Sequence, residues 1–417
     1  MALVDMRDML YHAYENSYAV GAFDLVSLDF LEAVIEAAEQ CRAPVILSIA
    51  EPHFAHYDFE LMLPAVEAAA RRASVPVAVQ LDHGRSLDSV IRAIRLGVNG
   101  VMIDASDLSL PDNIKATREA VAIAHACGLP VVGEVGYVGG EEGEGAEQHP
   151  GETALTVPSE ARVFVERTGV DFLAVSIGTV QGRAKQRTRL DFPRLKQIRK
   201  LVDVPLVIHG GSGLNEDQFR RLTAAGVAKI NYFTALSDVA AQTMRARMKQ
   251  ARDGSFTDLK RGVKDAIREE VIRCLRLWGT AGRAAEVLSR CRPQSPVEYL
   301  LLFETPGLEA AERRALLLRA RQVLDGLPGV RETFAGDIVE AAGRYRHLLR
   351  VRFTSEAAAE SFPEHPDWKA FRRRYLQPRL GEQRSVNCRA IDAPLSGEPE
   401  GGLALTLLPA GGESPRY

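Results

Sequence analysis

The sequence predicts an α/β fold: a (β/α)8 TIM barrel over residues 1–282, followed by a smaller α+β unit. Three observations carry this. Short apolar runs alternate eight times with amphipathic helical segments before Trp278. Gly or Pro often closes a helix just before the next run, as at Gly128-Leu129-Pro130 and Val204-Pro205, because neither residue continues a helix well. Polar or glycine-rich residues follow the runs, as at Asp82-His83-Gly84 and His209-Gly210-Gly211, where a parallel barrel carries its reactive rim. An open doubly wound sheet is the alternative, but eight units within about 250 residues suit closure better.

Taken in order, the runs read as buried parallel strands at 19–22, 45–49, 77–81, 100–103, 131–135, 172–176, 206–208 and 228–231. Helical periodicity lies between them, as in 28–40 and 87–96. The pattern changes after Trp278. An arginine-rich helical stretch leads into Arg292-Pro293-Gln294-Ser295-Pro296, so residues 283–296 read as a linker. Residues 297–392 then form a second domain, with a strand at 297–304, a helix at 310–325 and a turn at Leu327-Pro328-Gly329-Val330. A strand at 346–353, a helical or irregular stretch through His365 and Trp368, and a strand near 385–390 complete it. Residues 393–417, rich in Gly and Pro, form a tail.

Composition excludes several function classes. A formal net charge of −3 leaves no basic field for nucleic acid or an anionic membrane. No stretch reaches the roughly 20 apolar residues that span a bilayer, and the amino-terminal residues do not form a signal peptide. Cys41, Cys127, Cys274, Cys291 and Cys388 are scattered without redox or zinc-knuckle spacing, which fits reduced thiols in a cytoplasmic protein.

Six predicted strand ends carry polar residues toward one rim. His83 and His209 follow two of these strands, and imidazole nitrogens suit zinc or a similar divalent ion. Asp82 stands beside His83, where a carboxylate serves either as a general base or as support for a ligand. Gly210-Gly211-Ser212-Gly213 lies between a strand and a helix start. Glycines there let backbone N–H groups approach a phosphate closely, although a glycine run alone also makes a tight turn. Glu142 sits on an acidic, glycine-rich loop that fits a substrate cover and a solvated charge run equally well. His53 and His56 follow a strand end without a supporting pattern and read as loop histidines.

Together these residues resemble the class II fructose-bisphosphate and tagatose-bisphosphate aldolases. The resemblance covers about 280 residues, through Gly21-Ala22-Phe23, Leu81-Asp82-His83-Gly84, Val101-Met102-Ile103-Asp104-Ala105-Ser106, Gly139-Gly140-Glu141-Glu142, Ile177-Gly178-Thr179, His209-Gly210-Gly211-Ser212-Gly213 and Lys229-Ile230-Asn231. It implies a metal-dependent carbon–carbon lyase that cleaves a phosphorylated ketose to dihydroxyacetone phosphate and an aldehyde through a metal-stabilised enediolate. By that resemblance His83 and His209 ligate a divalent metal, most simply Zn2+, and Asp104 and Glu134 match a second metal position. Asp82 handles the hydroxyl proton and Glu142 the carbon-bound proton. Gly182, Gly211, Ser212 and Gly213 cradle a phosphate, and Asn231 and Thr234 contact the substrate. Gln181 stands where the family has a third ligand histidine, Asp24 where it has Asn, Ala50 where it usually has Ser, and Phe233 where it has Asp or Asn. These departures fit an altered substrate or metal. They leave open a related lyase or isomerase, and a non-catalytic sugar-phosphate-binding protein on a degenerate barrel.

The second domain resembles the stress-responsive dimeric α/β-barrel family, through Glu298-Tyr299-Leu300-Leu301-Leu302-Phe303, Leu348-Leu349-Arg350-Val351-Arg352-Phe353 and His365-Pro366. That resemblance implies a ferredoxin-like fold that pairs through its sheet, and hence a homo-oligomer, dimer or tetramer.

Overall fold

The computed structural model describes residues 2–138, 154–180, 182, 189–250, 254–339 and 345–389. Eight parallel strands close a barrel in chain order: β1 (Val20–Asp24), β2 (Val45–Ala50), β3 (Val77–Gly84), β4 (Gly100–Ile103), β5 (Val131–Val135), β6 (Phe172–Val175), β7 (Leu206–Ile208) and β8 (Val227–Tyr232). Around it run α1 (Met6–Glu15), α2 (Leu28–Cys41), α3 (Phe59–Arg72), α4 (Leu87–Leu96), α5 (Leu110–Ala126), α6 (Pro158–Thr168) and α7 (Phe192–Leu201). The ring closes with α8 (Glu216–Ala224), α9 (Thr234–Gln250), α10 (Phe256–Lys260) and α11 (Val263–Leu277).

Side-chain alternation divides the strands into two cores. Val20, Ala22, Ile46, Ala78, Met102, Val132, Phe172, Ala174 and Val207 fill the barrel interior. Val45, Leu47, Val77, Val79 and Leu81 face outward and pack beneath the helices. Each such side chain removed from water contributes about 1.5–3 kcal/mol. Helix α1, which strand–helix alternation does not announce, plugs the amino-terminal end with Met6, Met9, Leu10 and Ala13. Asp5 caps it by accepting from the Arg7 and Asp8 N–H groups, which satisfies donors that have no partner within the helix.

Four strands, β1, β2, β3 and β8, run further than the apolar pattern predicts, and this matters for the rim. Strand β3 continues past Leu81 because Ala50 of β2 pairs with Asp82. Gly84 pairs with Ile103 of β4 across a bulge. Asp82 and His83 are therefore strand residues, with His83 held at φ 45°. Strand β1 reaches Asp24 and β8 reaches Tyr232.

The segment read as a linker holds helix α12 (Ala284–Arg290) and is strapped to the barrel. Val287 and Cys291 bury against the bottom core, and Arg292 pairs with Asp5 and Asp8 at 2.9 Å. These contacts give the segment a fixed path.

The second unit comprises β9 (Val297–Phe303), α13 (Ala310–Asp325), β10 (Val330–Asp337), β11 (His347–Phe353), α14 (Glu356–Ser361), α15 (Pro366–Phe371) and β12 (Gln383–Arg389). Its antiparallel sheet has the order β10-β11-β9-β12. With helices after β9 and β11, that order is compatible with the ferredoxin-like expectation. Strand β10 was not expected from the sequence. A register shift between Val330 and Glu332 breaks its alternation, so no period of two is visible there. The unit docks on the barrel through Arg331, which donates to Glu67 of α3, and through Ser355 Oγ, which donates to the Cys127 carbonyl at 2.6 Å.

Candidate active site

The interior alternation continues to the carboxyl ends of the strands, where apolar residues give way to polar ones. Counting by twos from the interior core places Asp24, Asp82, Asp104, Glu134 and His209 inward. Strand β8 reaches the same outcome through a shift: Val207 pairs with Lys229 although Leu206 pairs with Val227. Lys229 and Asn231 thereby face inward, and Asn231 lies level with Ala22 of β1.

Two imidazoles form the centre. His83 Nε2 and His209 Nδ1 lie 2.8 Å apart, with the rings edge to face. His83 Nδ1 lies 2.7 Å from Asp104 Oδ2. That contact favours a proton on Nδ1, leaving the Nε2 lone pair aimed at His209. Ser106 donates to the other Asp104 oxygen through its N–H and its hydroxyl. Burial opposes ionisation of Asp104, but His83 and Ser106 outweigh it and hold the carboxyl well below the usual range. Burial, reinforced by the Asp104 charge, pushes the Glu134 carboxyl up to about 8. Glu134 Oε2 has no hydrogen-bond partner among the described residues.

These atoms form two overlapping sets close enough to hold one cation, Asp82–His83–His209 and His83–Asp104–Glu134. Two imidazoles and several carboxylate oxygens are a donor set that divalent first-row metals accept. The residues present fit such an ion.

Asp82 is fully buried and anchored on several sides. Gln80 Nε2 donates to one carboxylate oxygen at 3.0 Å and Asn231 Nδ2 to the other. The buried Lys229 ammonium donates to Asn231 Oδ1 at 2.7 Å and lies 3.9 Å from Asp82. Lys229 and Gln80 were not among the expected site residues. The available signal was a spacing of two from Asn231 and from Asp82, the strand period that brings side chains to one face.

The residues expected to cradle a phosphate lie in the loops after β6 and β7. Gly210, at φ 70°, leads into a 3-10 turn at Gly211–Gly213. A Cβ on Gly210 would collide with the Val180 carbonyl, so the loops after β6 and β7 meet only because that residue is glycine. Ser212 Oγ accepts from Ala235 N–H at 3.2 Å, tying the turn to the first residues of α9, where Thr234 lies. Gly182, at φ 76°, lies beyond β6. Glu142 and Gln181 fall outside the described residues. His53 is buried with its ring centroid 4.3 Å from that of Phe233, whereas His56 is exposed.

Residues 4–283 match the family model described as fructose-bisphosphate aldolase class-II. Among solved structures, the chain is similar to the YdjI aldolase from Escherichia coli K12, with 35% identity and a TM-score of 0.58 over 68% of this chain and 99% of that one. A candidate fructose-1,6-biphosphate aldolase from Coccidioides immitis has 30% identity and a TM-score of 0.62, over 68% and 98% of the two chains. A fructose-bisphosphate aldolase from Campylobacter jejuni shares the fold at 20% identity and a TM-score of 0.57, over 67% and 96%.

Proposed function

Because the chain belongs to the class-II fructose-bisphosphate aldolase family and is an aldolase-type lyase, we propose that it cleaves a phosphorylated ketose to dihydroxyacetone phosphate and an aldehyde. The observation that carries this is the pair of facing imidazoles, His83 and His209, beside an Asp82 carboxylate with an anchored geometry.

His83 and His209 would hold a divalent ion, with zinc favoured by the imidazole donors, and Asp104 and Glu134 would offer it a second position. Gln181 would contribute an amide oxygen where a third imidazole is missing. Such an ion supplies Lewis-acid polarisation of the substrate carbonyl and stabilises the negative charge that develops beside it. The remaining work falls to the chain's own groups. Asp82 takes the proton of the hydroxyl at the breaking bond, and Asn231, Gln80 and Lys229 hold its oxygens in place for that transfer. Glu142 exchanges the carbon-bound proton. Gly182, the Gly211–Gly213 turn and the start of α9 with Thr234 direct N–H groups at the substrate phosphate.

The second domain supports assembly. On one face of its sheet Leu300, Leu302 and Leu348 are half-buried and Phe334 and Val386 exposed; Arg350 stands between Phe334 and Leu300, and Glu298, Glu332 and Arg352 form the adjoining row. A largely apolar face that also carries both charge signs can meet its own copy about a two-fold axis, which favours a homodimer.

Metal analysis of the purified protein tests the centre. Wild type should carry about one divalent ion per chain with phospho-ketose cleavage, and His83→Ala should lose both. Full metal content in His83→Ala would overturn the assignment.

A further inference from the structure

The substrate must run from the phosphate cradle past Asp82, and the structure shows what it meets beyond the breaking bond. Asp82 on β3 and Asn231 on β8 are hydrogen-bonded to each other, and β1 and β2 are the strands between β8 and β3 around the barrel. The rim of β1 and β2 is therefore the wall that closes the gap between Asp82 and Asn231, and a substrate that reaches past Asp82 on this side meets it.

That wall has a definite chemistry. Asp24 ends β1 and faces inward, buried as completely as Asp82 and His209. Ala50, the cross-strand neighbour of Asp82, offers only a methyl group. Phe233, just beyond β8, lies against both His53 and Phe30 and closes the corner with rings. The Tyr57 hydroxyl is buried without a hydrogen-bond partner among the described residues, and burial followed by the charge of Asp24 raises its phenol above the ordinary range.

A phosphate carries close to two negative charges and binds where cations or several N–H donors converge. On the cradle side a glycine turn and a helix start provide such donors. On the β1–β2 side, among the described residues, Asp24 provides a carboxyl, which in either protonation state brings no positive charge, Phe233 and Ala50 provide no donor, and the His53 ring against Phe233 and the Tyr57 hydroxyl offer single polar contacts rather than a converging set. A sugar hydroxyl suits the same wall, because it can donate to Asp24 and satisfy the Tyr57 hydroxyl while its carbons lie against Phe233.

Resting on the aldolase reading above, we infer that the enzyme acts on ketose 1-phosphates whose far end bears no second phosphate, so that the aldehyde it releases is an uncharged, hydroxyl-bearing one. In the synthetic direction dihydroxyacetone phosphate loses one carbon-bound proton, the new carbon–carbon bond forms to the aldehyde carbon, and the aldehyde oxygen takes up a proton.

The test uses the full-length, metal-loaded protein with dihydroxyacetone phosphate and either racemic glyceraldehyde or racemic glyceraldehyde 3-phosphate. In parallel, deuterium exchange from solvent into dihydroxyacetone phosphate is followed without any aldehyde. Exchange should occur, and kcat/KM should favour glyceraldehyde on the order of 100-fold, the scale of a like-charge clash in a closed site. Asp24→Asn should narrow that ratio about tenfold. Exchange with equal or better use of glyceraldehyde 3-phosphate overturns the inference while the aldolase reading stands. No exchange overturns the aldolase reading, and the inference with it.

Discussion

Lys229 ties together two groups of the candidate site. Its ammonium is fully buried and held between Asn231 and Asp82. Removing one partner of a buried ion pair costs about 3–5 kcal/mol because the other charge is left uncompensated. Lys229→Ala should therefore lower unfolding stability by about that amount in chemical denaturation. Asp82→Asn should instead leave metal content near wild type and reduce turnover about 10²- to 10⁴-fold, the usual worth of a positioned acid–base group. Asp104 Oδ2, 2.7 Å from His83 Nδ1, also constrains that ring, so its loss should be felt at the metal whether or not Asp104 offers a ligand itself. Asp104→Asn should weaken metal affinity about 10- to 100-fold by titration with a competing chelator. At this scale the sequence was informative for His83, His209 and Asp82, because each follows an apolar run that marks a strand. For Lys229 and Gln80 it offered only a spacing of two from Asn231 and Asp82, which does not single out a lysine or glutamine inside a strand until its partner is known.

Among the elements, the extended end of β3 and the docked second domain were the least legible. The apolar run stops at Leu81, yet pairing with β2 and the bulge against β4 carry the strand through Gly84. The bulge keeps the side chains of Asp82 and His83 both at the site, where strict alternation would separate them. The domain contact centres on Glu67, whose carboxylate receives Arg331 and Arg71. Burial alone would raise this carboxyl, but the two guanidiniums outweigh it and hold it below its ordinary value. A depressed value means the stabilisation is present above the ordinary carboxylate pKa and is lost as pH falls through the lowered one. Urea unfolding should thus show wild type more stable than Glu67→Gln near neutrality, with the gap closing below about pH 4. A gap that stays constant into acid would show that Glu67 ionisation does not support docking.

For the molecule as a whole, the open sheet face of the second domain makes assembly testable. Sedimentation velocity should find a dimer at micromolar concentration, and Leu302→Glu on that face should give monomers. A wild-type monomer would refute the pairing. The sequence by itself determined the repeating strand–helix architecture and the polar character of the strand ends, because these depend on periodicity between near neighbours. Only the tertiary structure decided which of those polar groups meet. His83 and His209 lie 126 residues apart, and Asp82 and Asn231 149 apart. Their contacts require closure of the barrel together with register shifts at β3 and β8. Each shift reassigns which side chains point inward, and it arises from pairing with another strand, so no local pattern along the chain records it.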